Sequence, residues 1–378
     1  MKPITEVITL FLKLGFIAFG GPVAHIAMME EEVVKRRQWL DRQQFLDLVA
    51  ATNLVPGPNS TEMAIHVGFL RAGWPGLILG GACFILPAAL IVLVLAWLYE
   101  RYGTLPQGQA FLYGIQPVII AVIAQAIWRF GKTSLKDWSS QVVALLALTL
   151  VLSGVNEVLL LLAAGLLGMV WYGRIKTKTF LLTAIPPGLL VSAIPALSVI
   201  PQNPQLLLTL GLVFLKIGSI LFGSGYVLVA FLQQDIVHRY GWLTQQQLLD
   251  AIAVGQFTPG PVLTTATFVG YQIAGLAGAI VSTLCIFLPA FIIVALTNPW
   301  IPRLRQSSLA SGFLDGVNAA VVGFMAAVTL QIGRGALVDL PTILLAIGSA
   351  VALFWWNLNT TWLILAGGLV GGMIYLIR

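Results

Sequence analysis

Two lysine residues lie inside apolar stretches, at equivalent places in the two halves of the 378-residue chain. Lys13 and Lys216 each fall roughly two and a half turns into a predicted apolar helix. A lysine at the centre of a bilayer costs about 2.5–3.5 kcal/mol on insertion scales, so such residues usually have a function. We predict that the two ammonium groups compensate the charge of a bound anion; the alternative is that each snorkels to the membrane interface.

The tripeptide Pro-Gly-Pro occurs twice, at 56–58 and 259–261. Proline lacks an N–H and fixes φ, which suits the first positions of a helix. Helices beginning after each motif would offer free backbone N–H groups and a positive dipole end to an anion, unless the motif is only a capped kink. Gly57 and Gly260 would let a ligand approach the backbone. Side-chain donors lie beside the motifs: Asn59, Ser60 and Thr61 in the first half, and Thr258, Thr264 and Thr265 in the second.

A glycine break ends the first apolar helix of each half, at 19–22 and 222–225. A second helix N-terminus should begin at each break, the alternative being close helix packing through small residues. If the halves are inverted, the breaks and the Pro-Gly-Pro motifs would bring four helix N-termini and two ammonium groups to one midplane site. That site suits a compact oxyanion, and its predicted contacts include Gly20, Gly21, Gly223 and Ser224.

The remaining ionisable residues give weaker signals. Glu62 follows the first Pro-Gly-Pro motif and is a candidate proton-coupling group, or only a charge favoured at a helix N-terminus. Asp47 and Asp250 are equivalent and should pair with basic groups or lie at the interface. We expect His25 and His66 to be structural. The acidic run 30–32, together with the basic residues at 35–37, should form a solvated face.

These residues belong to an internal duplication. Residues 11–61 align without a gap on 214–264, at a constant offset of 203, with 21 of 51 positions identical. One residue is then lost, and the repeat continues at an offset of 202 through Cys83 and Cys285. Each cysteine should be a small buried hydrophobe, and neither a disulfide nor a metal site is expected. Duplicated halves with broken apolar helices are typical of secondary transporters.

The composition predicts an all-α polytopic membrane protein. The chain is 58% hydrophobic and 9% charged, against about 25% charge in soluble proteins. Its long charge-free runs exceed the roughly 20 residues that span a bilayer: 72–99, 102–128, 179–215, 251–302 and 340–377. The alternating pattern of a membrane β-barrel is absent from the sequence. The net charge of +6 then reports orientation rather than nucleic-acid binding.

The same order of helices is predicted twice. Short helices should flank each Pro-Gly-Pro motif as re-entrant or broken half-helices, at 42–54 and 59–71 and again at 245–257 and 262–273. The other predicted helices are 4–20, 23–38, 74–99, 108–130, 138–153 and 157–172, matched by 206–223, 226–240, 275–297, 309–331, 339–355 and 359–377. About ten spans result.

The distribution of charge favours an inverted-topology repeat. The first half, 1–172, carries strongly basic segments at 35–42 and 129–136, followed by another at 174–178. The positive-inside rule assigns all three to the cytoplasm. The linker 173–204 contains an extra apolar segment, 179–200, whose single crossing would invert the second half, 205–378.

At these motifs the chain resembles the chromate ion transporter (CHR) family in its long, two-domain form. The resemblance rests on Phe11-Leu12-Lys13-Leu14-Gly15, Phe19-Gly20-Gly21-Pro22, Trp39-Leu40 with Phe45 and Asp47, and Pro56-Gly57-Pro58. It implies an inner-membrane protein with antiparallel homologous halves that exports chromate and confers chromate resistance. The second half departs from the pattern at Ser224 and Gly225, which replace Gly21 and Pro22.

The sequence therefore predicts a secondary transporter of a tetrahedral oxyanion, with chromate efflux as the leading function. Sulfate is a geometric mimic, so sulfate or other oxyanion uptake or exchange stays open, as do an anion channel and a membrane-embedded enzyme. Enzyme motifs are poor: a Gly-Lys-Thr at 131–133 has Ala126 where a P-loop needs glycine. We expect no cofactor, metal or nucleic acid, the lipid bilayer and the anion as partners, and a homodimer as one open assembly.

Overall fold

The computed structural model describes residues 2–53, 55–103, 105–172, 204–222, 225–297, 308–356 and 358–377. Within them the chain is helical, and the two halves repeat the same seven helices. The extra apolar segment 179–200, the basic segment 174–178, Gly223 and Ser224 lie outside the described residues. The predicted all-α membrane fold with two homologous halves is confirmed for the part described.

The first half contains helices α1 (Pro3–Ile17), α2 (Gly21–Glu30), α3 (Arg42–Thr52), α4 (Asn59–Tyr102), α5 (Pro106–Ser134), α6 (Trp138–Leu152) and α7 (Glu157–Tyr172). Their counterparts are α8 (Pro204–Ile220), α9 (Val227–Leu232), α10 (Gln245–Phe257), α11 (Thr265–Thr297), α12 (Ser308–Ala336), α13 (Leu340–Trp355) and α14 (Thr360–Ile377). A π-helical segment extends α2 over Glu31–Arg36 and α9 over Gln233–Arg239. A 3₁₀ turn, Val262–Thr264, precedes α11.

Helices α4 and α11 each reverse direction near their first third. In α4 the backbone leaves helical values at Ala72 and Gly73, where Gly73 adopts φ 61° and ψ −148°. A Cβ on Gly68 would collide with the carbonyl oxygen of Gly76, although eight residues of straight helix span about 12 Å. The two arms therefore fold back on each other. The same reversal occurs in α11 at Ala274 and Gly275, which confirms the predicted boundaries between short and long helices.

The last two helices of each half pack against the fifth helix of the other half. Helix α5 packs against α13 and α14 of the second half, and α12 packs against α6 and α7 of the first. Glycines permit the close approach, since a Cβ on Gly114 would strike the Gly367 carbonyl oxygen and a Cβ on Gly168 that of Gly312. The repeats 1–172 and 205–378 are thus units of sequence, whereas the packing of these helices joins the two.

Four helical segments are long and apolar enough to cross a membrane: Asn59–Tyr102, Pro106–Ser134, Val262–Thr297 and Ser311–Ala336. Five shorter apolar helices, among them α6, α7 and α13, accompany them in the described part of the chain. Large apolar side chains such as Trp138, Leu166 and Leu284 are exposed on the outer surface. So much exposed apolar surface is suited to lipid rather than to water.

Candidate functional site

Each Pro-Gly-Pro turn bonds to the end of the first helix of the opposite half. The Gly57 N–H donates to the carbonyl oxygen of Leu221 over 2.8 Å, and the Gly260 N–H donates to that of Ala18, also over 2.8 Å. Position for position, the two bonds are equivalent under the offset of 203. Reciprocal contacts of this kind indicate a two-fold relation between the halves. A buried His25 ring nitrogen also bonds the Ala18 oxygen, at 3.0 Å.

We call each of these contacts a crossing: the first joins Gly57 to Leu221, and the second joins Gly260 to Ala18. A small cavity lies at the second crossing. The glycine break of the first half supplies Gly20 and Gly21, and the Pro-Gly-Pro region of the second supplies Thr258 and Gly260. The structure thus brings together four residues that the sequence predicted for one site. Sequence reasoning missed other residues that line the cavity, among them Tyr226, Gln256 and Thr360.

The cavity glycines are required for backbone conformation and for space. Gly20, Gly21 and Gly260 have φ values of 102°, 76° and 84°, which glycine adopts without the steric penalty of a Cβ. A Cβ on Gly21 would lie 3.3 Å from the Tyr226 hydroxyl, and one on Gly260 only 2.7 Å from the Ala88 Cβ. A side chain at either position would therefore strain the backbone and crowd the crossing.

The hydroxyls near the second turn already have acceptors. Thr258 donates to the Gly255 carbonyl at 3.2 Å, while Thr264 and Thr265 donate at 2.8 Å to carbonyls three residues earlier. By contrast, the amide nitrogen of Gln256 has no hydrogen-bond partner among the described residues. It is the side-chain donor at the cavity left over for a ligand. Its equivalent at the offset of 203 is Asn53, a repeated polar position that the sequence comparison could have revealed.

The predicted free N–H groups are fewer than expected. The Thr61 and Thr264 N–H groups donate to Pro58 and Pro261 within their own helices, so the expectation that they lack intrahelical partners is wrong. A tight first turn explains this, because bonds over three residues satisfy donors that an ideal α-helix leaves open. The open positions of α4 are its first two residues, Asn59 and Ser60. The Asn59 side chain donates to the Asn53 side-chain oxygen.

Both predicted lysines are held by buried carboxylates. Lys13 Nζ lies 2.6 Å from Glu32 Oε1, and Lys216 Nζ lies 2.7 Å from Asp235 and 3.1 Å from Glu157. Glu32 and Asp235 are equivalent positions, each 19 residues after its lysine. The π-helical end of the second helix carries the acid in both halves. The ion pair is therefore part of the duplication, whereas Glu157 adds an acid from the other half.

The prediction that the run 30–32 forms a solvated face is wrong for Glu32. That side chain is buried and also bonds Arg36 at 3.3 Å and Arg37 at 3.2 Å. The prediction holds for Glu31, which is exposed and pairs with Lys35 at 2.9 Å. The hydrogen bond from Lys35 lowers the pKa of the Glu31 carboxyl. Consecutive helical residues do not face the same direction, so Glu31 and Glu32 lie on different faces.

The lysines do not line the cavity. Lys13 precedes Ala18, and Lys216 precedes Leu221, by five residues, or about 7.5 Å along a helix axis. The backbone of each lysine therefore lies about one and a half turns before the crossing, and its ammonium is held by the carboxylates described above. Any effect of their charge on a ligand in the cavity acts over that distance and against the paired carboxylates.

The equivalent aspartates have different surroundings. Asp250 is buried and accepts hydrogen bonds from Tyr99 at 2.8 Å and Gln116 at 2.9 Å, both from the first half. Asp47 is half-buried and accepts a bond from Gln43. The expectation of a basic partner is wrong for Asp250, whose two acceptor atoms are satisfied by neutral donors. Asp250 instead joins α10 to α4 and α5.

Glu62 is fully buried at the start of α4, with 0% of its surface exposed. Its carboxylate occupies the space that a side chain at position 57 would fill. Neither carboxylate oxygen has a hydrogen-bond partner among the described residues, and the same holds for the buried Thr61 hydroxyl. An unpartnered carboxyl therefore abuts the glycine of the first crossing.

The sequence of each half matches one family model. The model described as "Chromate transporter" matches residues 5–169 and again 208–372. The chain belongs to the chromate transporter family. It is 34% identical to the chromate transport protein of Cupriavidus metallidurans, over 98% of this chain and 92% of the relative.

Two further chromate transporter relatives are similarly close. The probable chromate transport protein of Synechococcus elongatus is 33% identical over 89% of this chain and 86% of its own length. The chromate transport protein of Pseudomonas aeruginosa is 33% identical over 97% and 91%. No solved structure is significantly similar to this chain.

The two crossings of this chromate transporter homologue differ in charge. Counted from Pro-Gly-Pro, Thr265 takes the place of Glu62. At the start of the last helix, Thr360 takes the place of Glu157. The cavity beside the second Pro-Gly-Pro turn is thus lined by glycines, an amide and hydroxyls, whereas the corresponding positions of the first crossing hold two buried carboxylates.

Proposed function

We propose that this chain is a secondary transporter that exports chromate across the inner membrane, with its two halves in inverted orientations. The cavity where Gly20 and Gly21 meet Thr258 and Gly260 carries the proposal. It lies where the two halves cross, and transporters with inverted repeats bind substrate at the interface of their repeats. The chromate transport proteins that the chain resembles support the choice of substrate.

The chemistry of the cavity suits a tetrahedral dianion. The left-handed Gly20 and Gly21 leave the backbone open to a ligand, and such concave backbone turns bind anions, whereas the Gly260 N–H is already bonded to Ala18. The free amide of Gln256 and the N-terminus of α14 at Thr360 add neutral donors. Neutral donors bind an anion without a fixed counter-charge, so releasing the anion does not require breaking an ion pair. In this proposal Lys13 attracts the anion at long range, because Arg36 and Arg37 share its partner Glu32. Lys216 chiefly neutralises Asp235 and Glu157.

Several predicted contacts depend on the first crossing. Gly57, Asn59, Ser60 and Thr61 occupy the positions equivalent to the second Pro-Gly-Pro region. We propose that they contact the anion when the transporter changes conformation and the first crossing opens. Gly223 and Ser224 belong to the same proposal on sequence grounds alone.

The test is chromate exchange in proteoliposomes. Proteoliposomes that contain the purified protein are loaded with unlabelled chromate. Uptake of labelled chromate is then measured with sulfate and phosphate as competitors. Gln256→Leu should lower apparent affinity two- to tenfold, because one neutral hydrogen bond contributes about 0.5–1.5 kcal/mol. Gln141→Leu changes an exposed glutamine on α6, outside the cavity, and should leave uptake unchanged.

The outcomes of this assay test the substrate, the cavity and the direction of transport separately. Absence of chromate exchange in the folded wild-type protein would overturn the proposed substrate, and preference for sulfate would reassign it. Equal affinity in the Gln256→Leu and Gln141→Leu proteins would remove the cavity from the proposal. Uphill movement in inside-out but not right-side-out vesicles would support export, and the reverse would contradict it.

A further inference from the structure

Glu62 is a buried carboxyl group without a counter-charge. Its side chain is fully enclosed, and both oxygens lack hydrogen-bond partners among the described residues. An ionised carboxylate in such surroundings is strongly disfavoured, so the group takes up a proton instead. Buried polar groups in proteins are normally bonded, and an exception calls for a functional explanation.

The charged groups on the nearest helices are bonded elsewhere. The titratable groups on α1, α2 and α3 are Glu6, Lys13, His25, Glu30, Arg42 and Asp47. Glu6 is paired with Arg71, Lys13 with Glu32, and Arg42 with Glu30. His25 bonds the Ala18 carbonyl, and Asp47 accepts from Gln43. None of these contacts involves the Glu62 carboxyl.

Charged groups on the helices of the second half are likewise bonded to other partners, and Lys216 on α8 is paired with Asp235 and with Glu157 of α7. On α10, Asp250 is bonded to Tyr99 and Gln116. On α11, Tyr271 bonds Glu100 and Cys285 is a free thiol. The nearest titratable neighbour in sequence is His66, one turn further along α4 and also buried. Among the described residues, therefore, none hydrogen-bonds the Glu62 carboxyl.

The position of Glu62 links it to movement between the halves. Its carboxyl packs against Gly57, and the Gly57 N–H is bonded to Leu221 of the second half. If the halves move apart at this bond, the cover over Glu62 opens and water can reach it. The second crossing has Thr265 at the equivalent place, so only the first crossing has an acid in this position.

We propose that Glu62 carries a proton in the transport cycle. The carboxyl oxygen holds the proton while the first crossing is closed, and passes it to water when that crossing opens to one side of the membrane. After the halves rearrange, the resulting carboxylate takes a proton from water on the opposite side of the membrane before the crossing closes again, so each cycle moves one proton across the membrane. The inference rests on the proposed oxyanion transport and specifies how that transport is driven.

The first test needs only the wild-type protein. Chromate is added to proteoliposomes containing a trapped pH dye, with the membrane voltage clamped at zero. Proton movement should accompany chromate, and a gradient of one pH unit should accumulate chromate about tenfold for one coupled proton. Chromate exchange without any proton movement or response to pH would overturn the proton role while leaving the proposed transport intact.

The second test uses Glu62→Gln, which keeps the shape and a permanently neutral side chain. Exchange of labelled for unlabelled chromate should persist, because the loaded protein can shuttle without releasing a proton, whereas pH-driven accumulation should be lost. Glu31→Gln, at an exposed salt bridge, is the matched control and should retain both activities. Accumulation by Glu62→Gln equal to that of the control would refute the proposal.

A third measurement does not depend on a variant that folds. Hydrophobic carbodiimides react with protonated carboxyl groups in apolar surroundings. In the wild-type protein, mass spectrometry should find the adduct on Glu62, with less labelling at high pH. Labelling that spares Glu62 while modifying other carboxyls would contradict its protonated, buried state. Absence of chromate exchange in the wild type would instead overturn the proposed function itself.

Discussion

Replacing Lys216 by glutamine should destabilise the protein far more than the equivalent change at Lys13. Lys216 is 17% exposed and lies within 3.1 Å of two almost fully buried acids, Asp235 and Glu157. Lys216→Gln would leave both carboxylates in a buried environment with only the exposed Arg239 nearby, 3.9 Å from Asp235.

The magnitudes follow from the remaining partners. Removing one member of a buried ion pair typically costs about 3–5 kcal/mol, because the other charge stays uncompensated. Lys13 is 47% exposed, and after its loss Glu32 still has Arg37 at 3.2 Å and Arg36 at 3.3 Å. Lys13→Gln should therefore cost about 1 kcal/mol, near the upper range for exposed pairs.

The assay is thermal unfolding of purified protein in detergent, compared at equal lipid content. Neutralising the acids should rescue the lysine variant, so Lys216→Gln combined with Asp235→Asn and Glu157→Gln should recover most of the lost stability. Chromate exchange is then measured on the rescued protein. Full exchange would assign Lys216 to structure, whereas a stable protein without exchange would support compensation of substrate charge.

The reasoning fails if the two lysine variants lose the same stability. It also fails if Lys216→Gln unfolds at the wild-type temperature, since two buried carboxylates would then need no ammonium. A rescued triple variant less stable than the single one would show that the three side chains pack as a unit whose charges are secondary.

The crossings and the topology give two more predictions. Gly57→Ala and Gly260→Ala should abolish chromate exchange, because a Cβ at position 57 would strike the Glu62 carboxyl and one at position 260 the Ala88 Cβ. Gly241→Ala shares a positive φ but meets open space and should retain exchange; equal exchange in all three would contradict this. In a cysteine-free background, Arg37→Cys and Arg239→Cys should be labelled by an impermeant thiol reagent from opposite sides of the membrane, and labelling of both from one side would exclude inversion.

The sequence was sufficient to predict the helices and their breaks. Pro-Gly-Pro and the glycine breaks act locally, through missing N–H groups and left-handed backbone, so their consequences can be read without knowing distant contacts. The reversals at Gly73 and Gly275 therefore fall between the predicted short and long helices. The meeting of Gly20 with Gly260 followed from the assumption that two repeats share one site.

The exchange of helices between the halves was not predictable from pattern. The alignment equates α5 with α12, but both possible partners, α7 and α14, are apolar and glycine-containing to a similar degree. Which pair meets depends on packing of Gly114 with Gly367 rather than Gly168. The acids that pair with the lysines could have been predicted from the sequence, because an acid recurs 19 residues after each lysine, at 32 and 235.

Duplication explains how two crossings with the same backbone could bind different ligands in one transport cycle. A two-fold arrangement gives both the same backbone and the same bond between halves, so either could in principle receive the same ligand. Divergence at a few side chains is then enough to separate their chemistry. The second crossing has Thr265 and Thr360 where the first has the buried acids Glu62 and Glu157, of which Glu157 is paired with Lys216. Because both crossings lie between the same two halves, a movement that opens one must alter the other. Anion binding at the second and proton binding at the first would thereby be coupled through a shared movement, without direct contact between the two ligands.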